Sequence, residues 1–548
     1  MKKKMYIGAM LVAVLLTACE DQLQEKTFNF YSDRDYFADT DRLNMAVLGV
    51  YEVFSEMGTY GQYWMAYDTD TDISHVSGAG TGHVTRDLGH YNAYVEHPWL
   101  EESWRLYYLG IDRANTILER LQDVTTDGSP ADSARLHRLA AETKCLRAMA
   151  YFDLTLLFGD VPLKVTYSTS EDNFNLERTD REAVYDRIVA DFREAIPALP
   201  WHDEMAAFDG RLTRGAAIGL LARVYLFRGG YSLRQDGTVR RPANYRDCYR
   251  ETLNLTEQII ASGRHGLNDS YEQVFRNMCE YVLEPRENIC EVQFFNPTGE
   301  TKHSSVMGTY NGPSINISSS FGRANSFIKT HQFFAQTFDR VNDTRYPVAI
   351  ADFEINASDQ IRPIAERNSH NWAPGKWRRN WHAGRPKENN NTDVNVVLLR
   401  YADILLMRAE VENELNGTDA ALEYINQVRR RAYGQLPYTQ LSAIDYLATD
   451  FTGPDDFFRE LRAERARELC FEGMRRMDLI RWNLLGTALQ ETKAKFETAI
   501  AAGTQSNYNF AASANRFTPG KHELYPIPAR ERRETGNSLT QNPGYAGY

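Results

Sequence analysis

Apolar residues recur at helical spacing through much of the chain. Between residues 398 and 433 (LLRYADILLMRAEVENELNGTDAALEYINQVRRRAY), Ala402, Leu405, Leu406 and Ala409 follow i, i+3, i+4, i+7 spacing. Beyond Asn416-Gly417 the same spacing returns in Ala421, Ile425, Val428 and Ala432. Gly417 suits a left-handed helix stop, and Thr418 or Asp419 can cap the helix that follows. Two amphipathic helices joined by a tight turn form an αα-hairpin, and because each apolar stripe needs a neighbour, the hairpin reads as one unit of an array. Helical spacing also covers 104–120 and 138–158, where Ala140, Leu146, Ala150 and Leu154 share a face and Gly159 and Pro162 stop the helix. Further helices are expected over 180–199, from a Thr213 cap to Gly229-Gly230, over 244–262, and as one long helix over 457–482. The pattern therefore predicts a mainly α protein with at least four hairpins.

From 263 to 397 the helical period disappears. Asn, Gly, Ser and Pro become frequent, broken by β-like runs at 289–295 (ICEVQFF) and 394–399 (VNVVLL). A stretch of this length inside a helical chain predicts ordered loops on a rigid scaffold, where function concentrates. Within the helical part, Ala222, Tyr225, Gly229 and Ala261 give a loose version of the small-large pattern of tetratricopeptide repeats.

Composition adds a folded core and wet aromatic faces: 43% of the 548 residues are apolar, and 31 Tyr and 26 Phe stand against 8 Trp. Met1 to Cys19 (MKKKMYIGAMLVAVLLTAC) has three lysines, an apolar run and small residues before a cysteine, which predicts a secretory leader too short to span a bilayer. Leu16-Thr17-Ala18-Cys19 resembles a bacterial lipobox, so Cys19 is the expected lipidation site and first mature residue. Glu20-Asp21 directly after it resembles the signal that sends lipoproteins to the cell surface in Bacteroidetes. The net charge of −12, more negative still once the leader is gone, gives no affinity for nucleic acid or anionic headgroups, leaving the lipid as the membrane anchor. Cys145, Cys248, Cys279, Cys290 and Cys470 form no CxxC pair, so neither a zinc knot nor a Cys279–Cys290 disulfide is expected.

Several stretches, in order along the chain, carry one resemblance: the lipobox, AETKCLRAMAYFDLTLLFGDVPL, GRLTRGAAIGLLARVYLF, LLRYADILLMRAEVENELNG, INQVRRRAYG, ERARELCFEGMRRMDLIRW, YPIPARE and the terminal TQNPGY. Together they resemble the SusD/RagB family of nutrient-binding outer-membrane lipoproteins, although the stretch after Cys19 lacks the family's Phe-Leu-Asp run. The resemblance implies about four tetratricopeptide-like helical pairs in a right-handed solenoid, packed against an irregular loop-rich layer with short strands. In domain terms it implies a leader over 1–18 and a single SusD-like unit over 19–548, with helical repeats near 100–262 and 398–485 and ligand-facing loops near 60–100 and 263–397. It also implies a non-catalytic, cofactor-free protein that captures oligo- or polysaccharide for a SusC-like TonB-dependent transporter. The alternative is a peptide-binding lid of a RagB-type importer.

Sugar capture needs flat apolar faces for C–H surfaces, and planar polar groups for hydroxyls. The 61–99 segment offers Trp64, Tyr67, Tyr91, Tyr94 and Trp99 with Asp70 and Asp72 between them, and Tyr94 and Trp99 are the preferred pair. The 371–387 segment (NWAPGKWRRNWHAGRPK) offers Trp372, Trp381 and Arg378 among five cations without an acid, a local reversal of sign that suits an anionic sugar. Tyr310, Asn311 and Arg323 are weaker candidates. Asp68, Asp70 and Asp72 open like a calcium loop, but Ile73 replaces the turn glycine and Ala79 the bidentate glutamate, so no EF-hand is expected. His83, His90 and His97 are expected to face solvent or ligand and not a metal. Glu460, Glu464, Glu468 and Glu472, each with an arginine three or four positions away, predict an ion-paired helix surface. No nucleophile elbow, phosphate loop or zinc signature gives a positive case for an enzyme.

Overall fold

The computed structural model describes residues 37–169, 171, 175–295, 303–382, 390–506 and 510–547. The leader, the lipobox with Cys19, and Arg385 and Lys387 lie outside the described residues. The first long helix, α1 (Thr40–Phe54), escapes the pattern reading above, though it is regular: the Asp39 carboxylate accepts from Arg42 N, and Leu43, Val47, Val50 and Phe54 line its buried face. It packs on α2 (Pro98–Arg120), which packs on α3 (Pro130–Phe158), and α3 on α4 (Arg181–Ala195). The series continues through α5 (Arg214–Arg228) with α6 (Tyr245–Ser262), and through the hairpin α8 (Tyr401–Asn416) with α9 (Thr418–Ala432). Ser129 and Thr213 supply side-chain N-caps to α3 and α5, and α6 ends on Gly263 in the left-handed region, φ 65°. Helix on neighbouring helix is thus the arrangement the hairpin pattern predicted.

The long helix expected over 457–482 is broken. α10 (Pro454–Leu469) stops, Phe471 and Gly473 take φ values of 65° and 89°, and α11 (Arg475–Arg481) follows at a new angle before α12 (Leu485–Ala501). The break turns Glu472 toward Arg400, whose Nε lies 2.8 Å from its Oε2, and toward Lys376. It also brings Gly473 against Trp64, so close that a Cβ there would meet the indole at 2.7 Å.

The Glu/Arg ladder is ion-paired as its spacing suggests, but it is buried where a surface was expected. Glu464 and Glu468 are both 0% exposed. Only Glu464 pairs within the turn, with Arg467 at 2.7 Å; Glu468 reaches Arg431 at 2.6 Å, Arg400 at 3.0 Å and Arg345 at 3.2 Å, all from other segments. Glu287 closes the network on Arg400 and Arg431. Arg465 likewise bridges Asp403 and Asp478, and Arg481 bridges Asp478 and Glu410.

The two β-like runs pair with each other. β2 (Asn288–Val292) and β4 (Val396–Arg400) form an antiparallel ladder with irregular register, which delivers Glu287 and Arg400 to the ionic network. β1 (His75–Val76) pairs antiparallel with β3 (Ile328–Lys329). The 263–397 region is less irregular than its sequence suggests: α7 (Tyr271–Cys279) lies inside it, capped by Ser270 and burying Val274 and Phe275. All five described cysteines are buried and free, Cys279 and Cys290 included.

Candidate ligand-binding site

Most of the aromatic residues singled out in the 61–99 segment face inward. Trp64 is buried against Gly473. The Tyr67 hydroxyl lies 2.6 Å from Ser103 Oγ, and Tyr91 donates to the Asp70 carbonyl at 2.8 Å. Asp70 is 1% exposed, with a φ of 56°. Its carboxylate accepts from Val76 N at 2.7 Å and meets His90 Nδ1 at 2.6 Å. Asp72 is paired to Arg475 at 2.6 Å, and Asp68 accepts from Arg476 N at 2.9 Å. These residues staple the segment to α2 and α11. His90 and His97 are also buried, not solvent-facing: His90 bridges Asp70 and the Gly78 carbonyl, and His97 caps α2 by accepting from Trp99 N. Burial depresses the His90 imidazolium, but the Asp70 carboxylate outweighs it and the net shift is upward.

Tyr94 and Trp99 keep accessible surface. Tyr94 is 42% exposed. Trp99 stacks on Tyr63 with ring centroids 3.9 Å apart and planes 8° from parallel, leaving a half-buried pair at the start of α2.

The 371–381 segment gives a similar division. Trp372 is buried and its indole donates to the Ile364 carbonyl at 2.9 Å. Trp377 is fully buried against Phe275. Trp381 is half-buried with the Arg276 and Arg378 guanidinium carbons 4.4 Å and 4.5 Å from its ring centroid. The described cations of this segment are bonded to protein groups. Lys376 is buried and paired with Glu472, Arg378 donates to the carbonyls of Gly375 and Pro347, and Arg379 donates to that of Phe321. Burial lowers both arginines to about 10. Among the described residues, no ring contact joins Tyr94 or Trp99 to Trp372 or Trp381.

A different cluster gathers on three loops. Phe327 lies between Tyr310, 4.7 Å away between centroids, and His83, 5.9 Å away. All three are half-buried. The backbone that sets them is tightly bonded. Ile328 N donates to the Tyr310 carbonyl at 2.9 Å, Ser77 N to the Phe327 carbonyl at 2.7 Å, and Ser326 N, at φ 52°, to the Thr309 carbonyl at 2.7 Å. Asn311 is buried as a loop brace, accepting from Gly308 N at 2.9 Å. The rim is polar: Arg323 is exposed and donates to Asn325 Oδ1 at 2.7 Å, and Gly80, Thr81 and Gly82 lie exposed before His83. Flat rings with planar donors and acceptors beside them are what a sugar ring requires. The sequence marked Tyr310 and Arg323, but Phe327 carries no local signal, because only the β1–β3 pairing brings it beside His83.

A second concavity of about 90 Å³ lies inside the helical layer, lined by Tyr60, Trp64, Asp68, Asp153 and Arg223 among others. Tyr60 donates to Asp153 at 2.9 Å. Burial lifts the Asp68 and Asp153 carboxyls to about 7. Glu52, Glu56 and His303 come close enough to share a cation, but Arg113 already lies 3.1 Å from Glu52.

Comparison with known proteins agrees with this architecture. A model described as the SusD family matches residues 330–545, and one described as "Starch-binding associating with outer membrane" matches 39–226. SusD-like protein P25 of Formosa agariphila is 26% identical over 526 residues, 88% of this chain and 90% of that one. The starch-binding protein SusD of Bacteroides thetaiotaomicron is 25% identical over 492 residues, 81% and 78% of the two chains. A solved SusD homologue from Bacteroides thetaiotaomicron superposes with a TM-score of 0.84 at 28% identity, covering 94% of this chain and 98% of its own. A laminarin-binding SusD-like protein shares the fold with a TM-score of 0.69 at 21% identity, covering 93% and 100%. Among the described residues no helix is long and apolar enough to cross a membrane.

Proposed function

The chain belongs to the SusD family, and on that premise we propose that it binds oligo- or polysaccharide, without catalysis, at the Tyr310–Phe327–His83 cluster. The observation that carries this reading is the cluster itself: three half-buried rings on loops fixed by backbone hydrogen bonds, with Arg323 and Asn325 at the rim. Rings held in place in advance lose little freedom on binding, so their contact with a sugar face is not offset by ordering. The names of its relatives, which include a starch binder and a laminarin binder, support a glycan over a peptide. We further propose that residues 19–548 act as one unit, tethered to the outer membrane through a lipid on Cys19 and exposed at the cell surface. In this role the protein passes its ligand to a SusC-like TonB-dependent transporter.

The test is calorimetric screening of the mature protein against soluble polysaccharides and a peptide pool, with Tyr310→Ala and Phe327→Ala in parallel. Each substitution is expected to weaken glycan binding by about 2 kcal/mol, roughly 30-fold, with the melting temperature little changed. Peptide binding without polysaccharide binding would assign the alternative, a peptide-capturing lid, and ligand turnover would refute a purely binding role.

A further inference from the structure

A cleft of about 290 Å³ opens between α10 and α12 and shares no lining residue with the cluster above. Its floor is apolar, with Phe333, Ala466 and Leu484 among the lining residues, and Phe333 is fixed edge-on to Phe496 at 4.8 Å. Its walls are cationic. Arg459, Arg462, Arg475 and Lys495 face two carboxylates, Asp72 and Glu491, in a chain whose net charge is −12. Arg475 is neutralised by Asp72, with two contacts of 2.6 and 2.8 Å, and Arg459 by Asp456 outside the cleft. Arg462 and Lys495 are different. Among the described residues neither makes an ion pair, and Glu491, one turn before Lys495 on α12, is beyond pairing distance of both. Arg462 is half-buried, its guanidinium carbon 5.0 Å from the centroid of the Phe458 ring. Partial burial lowers it from its ordinary value, and so do the charges of Arg475 and Arg459, which outweigh the opposing pull of Glu410 and Asp72. An acidic protein that leaves two cations without an ion-pair partner among its described residues, beside the apolar lining of one cleft, has a place for a ligand with an anionic group on an apolar face.

We propose that this cleft is a second saccharide subsite, in which Arg462 and Lys495 clamp the carboxylate or sulfate ester of an acidic sugar while its ring lies on the apolar floor. The inference rests on the reading of the chain as a saccharide binder, and it assigns acidic glycans as a ligand class. The 371–381 segment cannot serve this role, because its described cations are already bonded to protein groups.

The experiment titrates the mature protein with an oligogalacturonate, a sulfated carrageenan oligosaccharide and a neutral laminarin oligosaccharide, at low and high salt. It is repeated with Arg462→Gln, Lys495→Gln and Tyr310→Ala. Among the described residues Arg462 and Lys495 make no ion pair, so the glutamine variants are expected to change the melting temperature little, Arg462→Gln losing only its contact with the Phe458 ring. At least one anionic probe is expected to bind about tenfold more weakly to each glutamine variant and more weakly at high salt, with Tyr310→Ala retaining that salt-sensitive part. The uronate and sulfate arms show which group is read. If neither anionic probe binds, or if binding is indifferent to both glutamine variants, the subsite is refuted. Neutral-sugar binding lost only in Tyr310→Ala would then leave the aromatic site standing. Anion binding lost only in the glutamine variants would uphold the subsite without the aromatic site.

Discussion

Around Glu468 the protein packs charge where solvent cannot reach, and around Phe327 it leaves rings where solvent can. Arg345, Arg400 and Arg431 converge on one carboxylate from three separate segments, every one of them fully buried. Tyr310, Phe327 and His83 also come from three segments, but their side chains stay half-buried, and it is backbone hydrogen bonds that hold the loops carrying them. Both clusters are non-local, yet one fixes the scaffold and the other presents a surface. The difference lies in where the bonds go. Buried charges must be compensated by side chains, so each becomes a tie between elements. A ring on a braced loop needs no partner of its own and can accept one from outside.

The largest effect should follow from breaking the ionic side. Glu468→Gln keeps the shape but leaves three buried guanidinium groups short of one negative charge, a loss of about 3–5 kcal/mol. Chemical denaturation should show a clearly lower midpoint, while glycan affinity at a temperature where the variant is folded should match the parent. Lost affinity in a folded Glu468→Gln would mean that the two regions are coupled.

A pH series sharpens the same contrast. Burial raises Glu468, but Arg431, Arg400 and Arg345 outweigh it and hold the carboxyl at about 2; Glu464 and Asp403 are held lower still. Groups depressed in the folded state add stability that is complete above their unfolded values, near 4 to 4.5, and is lost as pH falls through the folded ones. Asp68 and Asp153 act the other way. Lifted to about 7 by burial, they add stability in acid that disappears as pH rises from about 4 through 7. Melting temperatures should therefore fall steeply below about pH 4 and decline gently toward neutrality, and Glu468→Gln should flatten the acid limb. An unchanged acid limb in that variant would show that the network is not what acid unfolds.

What could be read in the sequence divides along the same line. Helices were visible because packing imposes a period, as Ala402 to Ala432 show, and so were β2 and β4 as apolar runs. The partners of Glu468 were not visible: spacing shows that an arginine lies one turn away, and cannot show that Arg345, Arg400 and Arg431 come closer through space. The same limit hides which aromatic residues are buried. Trp64, Tyr67, Tyr91 and Trp372 attract notice as aromatics among polar neighbours, and the structure packs each of them inside. Phe327 sits in a stretch without any signal and comes beside His83 only through the β1–β3 register.

The smallest expected effects belong to Tyr94 and Trp99, and they test whether openness alone makes a binding surface. Both are accessible, and Trp99 forms a flat platform with Tyr63 at 3.9 Å. The pair lies at the start of α2, where the neighbouring ionic groups are already engaged, Glu102 with Arg105 and Glu101 with Arg530. It has neither the converging third ring nor the open polar rim of the Phe327 cluster. Tyr94→Ala should therefore change stability and glycan affinity by less than about 0.5 kcal/mol, as for an ordinary surface site. Trp99→Ala removes a stacked ring and should cost about 0.5–1.5 kcal/mol of stability while leaving affinity within about twofold. Calorimetry on the same polysaccharide used for Tyr310→Ala decides the matter. If Trp99→Ala abolishes binding and Tyr310→Ala does not, the sugar lies along α2, and the rings around Phe327 serve only to pack their loops.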